Sequence, residues 1–147
     1  MNPLLDFSGL PRFADFRPEH VTPAVDELLA HCRQVVNDCV ADAAASSWAN
    51  FVAPMEDANE KLSRAWGQVS HLHSVMDSPE LREVYNENLP KITQYYAELG
   101  QHEGLFRKFK ALKQADAFAS LNRAQKKIVE NELRDFQIGR ASCRERV

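Results

Sequence analysis

Between residues 21 and 39 the apolar positions Val21, Val25, Leu28, Cys32, Val35 and Cys39 recur at alternating steps of three and four. That spacing lays one apolar stripe along an α-helix and leaves the opposite face to water. Thr22 followed by Pro23 reads as the N-cap and first helical residue, because proline lacks the N–H that would go unpaired there. A second stripe of Phe51, Met55, Ala58, Leu62, Ala65, Val69 and Leu72 predicts a helix opening at Ser47, with Pro54 tolerable only in or near its first turns. Ser78 and Pro79 then supply the cap and first position of a third helix carrying Leu81, Val84, Tyr85 and Leu89, which Pro90 should kink or break.

The helical pattern resumes at Lys91, interrupted by Gly100 and Gly104, each costing about 1 kcal/mol relative to alanine in a helix. Asn122 with Gln125 forms an N-x-x-Q arrangement close to a capping box, opening a last helix that carries Ile128, Val129, Leu133 and Phe136. Sustained period-two alternation is missing from the chain. The pattern therefore predicts an all-α fold of antiparallel helices, preceded by an irregular start bearing Phe7, Phe13 and Phe16.

Composition narrows the class. The chain has 147 residues, 44% hydrophobic and 27% charged, with five glycines and seven prolines, which fits a soluble globular domain with a core of its own. The first residues lack a basic start followed by an apolar run, and no stretch is long and apolar enough to span a bilayer, so the expected compartment is the cytoplasm. A net charge of -3 argues against nucleic-acid binding, which rests on clustered Lys and Arg. Cys32 and Cys39, seven residues apart on one helix, lie roughly 10 Å apart along its axis, too far for a disulfide. They read as small buried apolar residues in a reducing compartment.

Candidate chemistry is sparse. His102-Glu103 begins the H-E-x-x-H zinc pattern, but the fifth position is Phe106, which has no lone pair for a metal. His102 reads instead as a helix-surface residue near Glu98, one turn away. His71 and His73, two helical positions apart, point to nearly opposite faces and cannot share an ion. Trp48, Trp66, Tyr95 and Tyr96 could form a ligand platform, yet large aromatics at helical spacing are more often packing. The basic run Arg107, Lys108, Lys110 and Lys113 reads as a solvated helix face. By residue chemistry the chain has no catalytic, cofactor-binding or metal-binding constellation.

Five strings change the picture: "FRPEHVTPAV", "SHLHSV", "SPELREVYNENLP", "GQHEGLF" and "LNRAQKKIVENELRDF", in this order. Together they resemble the N-terminal region of oligopeptidase A-like members of the thimet oligopeptidase family of zinc metallopeptidases, over about residues 1 to 137. The resemblance implies a much longer, mostly helical parent enzyme that hydrolyses oligopeptides with zinc-bound water in a deep channel, the N-terminal helices building part of one wall. It places the H-E-F-G-H motif and the later Glu ligand far downstream, in a catalytic domain missing from this chain, so no zinc or catalytic role passes to any residue here. Oligopeptide substrates and that missing domain are the expected partners, and nucleic acid and membrane are not. The alternative is an autonomous helical-bundle interaction module.

The final ten residues, "IGRASCRERV", depart from this pattern. They carry Arg140, Arg144 and Arg146 against Glu145, so that residues 1 to 137 alone have a charge of -5, and they hold the third cysteine, Cys143. One back-translation of residues 138 to 147 spells a common sequencing-library adapter. The expected domain organisation is therefore an N-terminal helical domain over 1–137 and a non-native tail over 138–147.

Overall fold

A computed structural model describes residues 1–144, with side chains through Gly139. Three single 3-10 turns, Pro3–Leu5, Phe13–Asp15 and Pro18–His20, precede α1 (Val21–Ala41). One π-helical turn, Trp48–Val52, leads into α2 (Ala53–Val75), followed by α3 (Pro79–Gln101), α4 (Glu103–Gln114), the short α5 (Asp116–Ala119) and α6 (Arg123–Arg144). The fold is all-α, and among the described residues no strand occurs. The described residues divide into two compact units: Met1–Val35 with Glu56–Tyr95, and Val36–Met55 with the chain from Tyr96 onward.

The helix ends show where local chemistry decides. The helical path is entered earlier than the Thr22-Pro23 signal predicts: the backbone N–H of Arg17 donates to His20 Nδ1 at 3.0 Å, the Pro18–His20 turn follows, and α1 begins at Val21. Pro23 is then the third helical residue, still among the first four whose N–H groups have no intrahelical partner. At Ser47, where the sequence predicts a helix start, a reciprocal cap forms, with Asn50 N–H donating to Ser47 Oγ at 3.1 Å and Ser47 N–H to Asn50 Oδ1 at 2.8 Å. Ser78 caps α3 by accepting from Leu81 N–H at 3.1 Å. Asn122 and Gln125 likewise exchange backbone-to-side-chain bonds at 2.9 and 3.0 Å, opening α6.

Pro90 does not break α3, which runs unbroken from Pro79 to Gln101. Pro90 and Asn86, whose carbonyl the missing N–H would have met, both lie on the exposed face, where water can take that carbonyl. The break falls instead at His102, whose extended backbone (φ -77°, ψ 104°) separates α3 from α4.

In the first unit α1, α2 and α3 pack as an up-down-up set. Asn59 meets Tyr95 while Trp66 and His73 meet Tyr85, so α2 and α3 run antiparallel. Thr22, Asp26 and Arg33 meet Asn88, Lys91 and Tyr95 in rising order, so α1 and α3 run parallel. The core here is Val21, Val25, Leu28, Leu29 and Cys32 from α1 against Ala58, Leu62, Ala65, Val69 and Leu72 from α2, with Leu81, Ile92 and Tyr95 from α3 and Leu4 from the first turn. Every predicted stripe residue of α2 is buried. On α3 the stripe is displaced: Leu89 is exposed, while Asn88 is fully buried, its Nδ2 donating to Thr22 Oγ1 at 2.9 Å and to the Val84 carbonyl at 2.7 Å.

The second unit has a core of Val36, Cys39, Phe51, Val52, Met55, Leu105, Phe109, Leu112, Val129, Leu133 and Phe136. Val36 is buried and Val35 half-buried, because a four-residue step from Cys32 keeps a 3.6-period stripe on its face better than a three-residue step does here. Three rings form its aromatic centre, Phe51 lying 4.6 Å and Phe136 6.1 Å from Phe109. Both described cysteines are free and buried, as the sequence predicts. Cys32 Sγ donates to the Ala58 carbonyl at 3.3 Å and Cys39 Sγ to the Phe51 carbonyl at 3.8 Å. Burial pushes both thiols above their ordinary pKa. The side chain of Cys143 and residues 145–147 lie outside the described residues.

Candidate functional site

The partial zinc motif is a helix cap. His102 Nδ1 accepts from Leu105 N–H at 3.2 Å, closing the first turn of α4, so this histidine is the N-cap at the junction of α3 and α4 rather than a residue inside one continuous helix. Phe106, in the position where the motif needs a second histidine, packs edge-on to Phe136 at 5.9 Å. Gly104 belongs to the same construction: a Cβ there would stand 2.8 Å from Val40 Cγ1 and 3.0 Å from His102 Cε1. Its cost to helix propensity is the condition for that close approach.

His71 and His73 separate as their spacing predicts. His71 lies against Phe13 with ring centroids 5.6 Å apart, whereas His73 stacks on Tyr85 at 4.0 Å with the rings 2° from parallel. Tyr85 also stacks on Trp66 at 5.1 Å, so Trp66, Tyr85 and His73 form a continuous aromatic pile between α2 and α3. The His73 end leads to Asp77, 3.9 Å from Nε2. Asp77 is ion-paired with Arg82, whose hydrogen bond holds the carboxyl below its ordinary range. Among the described residues no three His, Cys, Asp or Glu side chains converge as a metal-ligating group. The zinc that the resemblance implies for a parent enzyme therefore finds no fitting ligand set in the described part of this chain.

The four candidate platform aromatics do not meet as one surface. Tyr95 is buried and donates to Asn59 Oδ1 at 2.7 Å, Trp66 belongs to the pile with Tyr85, Trp48 is half-buried in the π turn, and Tyr96 is exposed. Arg107, Lys110 and Lys113 are exposed along α4, and Lys108 donates to the Asp42 carbonyl, the arrangement of a solvated face with one tether.

An apolar groove in the first unit is the surface feature that sequence reasoning missed. Phe13, Ala14, Phe16, Arg17 and Pro18 form one side, and Leu72, Met76, Ser78 and Leu81 the other, around a volume of about 460 Å³. Leu72 and Leu81 are the buried floor, while Met76 just beyond α2 is 71% exposed and Phe13 43%. Arg17 is held at the edge by donating to the Phe16 carbonyl at 2.8 Å and the Ala14 carbonyl at 3.4 Å. The legible signal was an aromatic-rich start with no helical period, combined with a methionine just beyond an apolar stripe.

Comparison with known proteins gives a consistent set of relatives. The family described as neurolysin/thimet oligopeptidase, N-terminal domain, matches residues 25–145. Oligopeptidase A of Salmonella typhimurium is 47% identical over 137 residues, which is 93% of this chain and 20% of that protein. Oligopeptidase A of Haemophilus influenzae is 45% identical over the same length, and an organellar oligopeptidase A of Arabidopsis thaliana 29% identical over 134 residues and 17% of its length. The chain thus spans about a fifth of the length of the bacterial relatives it matches. No helix among the described residues is long and apolar enough to cross a membrane.

Proposed function

Because the chain belongs to the neurolysin/thimet oligopeptidase N-terminal domain family, we propose that it is the N-terminal, non-catalytic part of an oligopeptidase A-like zinc metalloendopeptidase that degrades short peptides in the cytoplasm. The observation carrying this reading is the asymmetry of the match, 93% of this chain against 20% of the relative. A segment whose buried side chains are spent on helix packing, and whose one partial zinc motif is a helix cap, suits a scaffold that contributes a channel wall. Zinc, when bound in the parent, would supply an activated water from ligands in the downstream catalytic domain. The ten-residue tail belongs to the same proposal, as sequence foreign to the parent.

The test starts with DNA. Sequencing the locus through codon 137 should give an open frame that continues into an H-E-x-x-H motif without adapter codons. The completed protein should cleave short peptides and lose that activity to a chelator, while the 147-residue chain should be inactive with or without zinc. An intact locus with no such motif would favour the autonomous helical module instead. Genomic codons at 138 to 147 that do not spell adapter would remove the tail reading alone.

A further inference from the structure

We propose that the apolar groove between the Phe13–Pro18 segment and the α2–α3 corner is an intramolecular dock, occupied in the complete protein by an apolar segment encoded downstream of this chain. The inference rests on the fragment reading above and adds to it a specific contact surface. Among the described residues, four of the eight large hydrophobic side chains left exposed are Leu10, Phe13, Val75 and Met76, at 89, 43, 60 and 71%. Phe13 and Met76 line the groove, Val75 directly precedes Met76 as the last residue of α2, and Leu10 lies three residues before Phe13 in the chain. Elsewhere the α2 stripe is fully covered, so this concentration marks one unfinished edge of the core rather than scattered surface apolarity.

The size of the groove selects the occupant. A separate protein generally needs an interface above about 1,000 Å² in total to form a stable complex, far more than a cleft lined by nine residues offers. A tethered segment needs much less, because the covalent link replaces the lost freedom of a second molecule with a high effective concentration. With about four-fifths of the bacterial relatives' length lying outside the match, a tethered partner of ample length is available to the parent chain. Leu72 and Leu81 offer an apolar floor, and Arg17 and Ser78 polar edges, which fits a segment with apolar side chains flanked by a carboxylate or free carbonyls.

The three methionines make the test direct. Met76 is the probe, fully exposed Met1 the reactive reference and Met55, 6% exposed, the protected one. Peroxide oxidation, read site by site by mass spectrometry, should convert Met76 rapidly in the 147-residue chain while Met55 stays protected. In the completed protein Met76 should slow by at least tenfold, about 1.4 kcal/mol of protection, and Phe13→Glu should restore its fast oxidation.

Equal Met76 rates in the two proteins would overturn the proposal. So would protection that appears in the 147-residue chain at high concentration together with a dimer by sedimentation, which would make the groove a self-association face. Protection of the completed protein only after a short peptide is added would reassign the groove to substrate. A longer reading frame without the peptidase motif would sink the functional reading while leaving the Met76 comparison decisive for this one, and a locus with no downstream segment would overturn both.

Discussion

Phe109→Ala tests whether the second unit depends on its aromatic centre. Phe109 is 1% exposed, with the Phe51 ring 4.6 Å away at 60° and the Phe136 ring 6.1 Å away at 48°. Removing the ring loses the transfer free energy of its burial, about 1.5–3 kcal/mol. Two ring contacts worth about 0.5–1.5 kcal/mol each go with it, and the cavity left behind adds a penalty that depends on how far the site collapses. Core Phe→Ala changes cost about 3–5 kcal/mol in total, and that is the expected loss here. Phe109→Leu keeps most of the volume and should cost only about 1–2 kcal/mol.

Each unit contains one tryptophan, Trp48 in the second and Trp66 in the first. In a Trp66→Phe background the fluorescence of Trp48 therefore follows the second unit through a urea titration. At a slope of about 2 kcal/mol per molar urea, Phe109→Ala should lower the midpoint by roughly 1.5–2.5 M and Phe109→Leu by roughly 0.5–1 M. A shift below about 0.5 M for the alanine variant, or equal shifts for the two, would refute the assignment of Phe109 to a tightly packed core.

Glycine substitutions should split by position. Gly67→Ala meets no atom within 4 Å and should stabilise by about 0.5–1 kcal/mol, whereas Gly104→Ala drives a Cβ onto Val40 and His102 and should lose about 1 kcal/mol or more despite the better helix propensity; calorimetric melting of both variants gives the signs. In a Cys143→Ser chain neither remaining thiol should react with an aromatic disulfide reagent at pH 8 until denaturant is added, because burial raises the pKa of both Cys32 and Cys39; a fast native phase would contradict their placement. Asp77 titrates below its ordinary 3.8 because Arg82 hydrogen-bonds and pairs with it. A carboxyl depressed in the folded state stabilises above its unfolded pKa and loses that contribution as pH falls through the folded one. Asp77→Asn should therefore lower the urea midpoint at neutral pH and flatten its decline below about pH 4, and an unchanged acid limb would refute the pairing.

How far the fold could be read from sequence depended on whether one local rule acted alone. Along α2 the apolar period had no competitor, and all seven predicted residues from Phe51 to Leu72 are buried. At Ser47, Ser78 and Asn122 the capping chemistry is complete within four residues, so each helix start was legible. Where two elements must agree, the period misleads. Asn88 is inside and Leu89 outside, Asn88 giving one N–H to Thr22 across the packing and the other to Val84 within its own helix, a placement invisible from α3 alone.

His102 shows the same limit at the candidate site. Histidine is a poor N-cap signal, so with zinc excluded by Phe106 the residue read as a helix-surface position, and its Nδ1 closing the first turn of α4 was not legible. The family was legible for a different reason, because several separate strings agreed in order with one family. Packing residues encode how helices fit one another and not the reaction they serve. In a chain that matches a fifth of its bacterial relatives' length, the buried positions report helix packing. The apolar groove lined by Phe13 and Met76 is accordingly the place in the first unit where the packing pattern of the helices stops accounting for the exposed side chains.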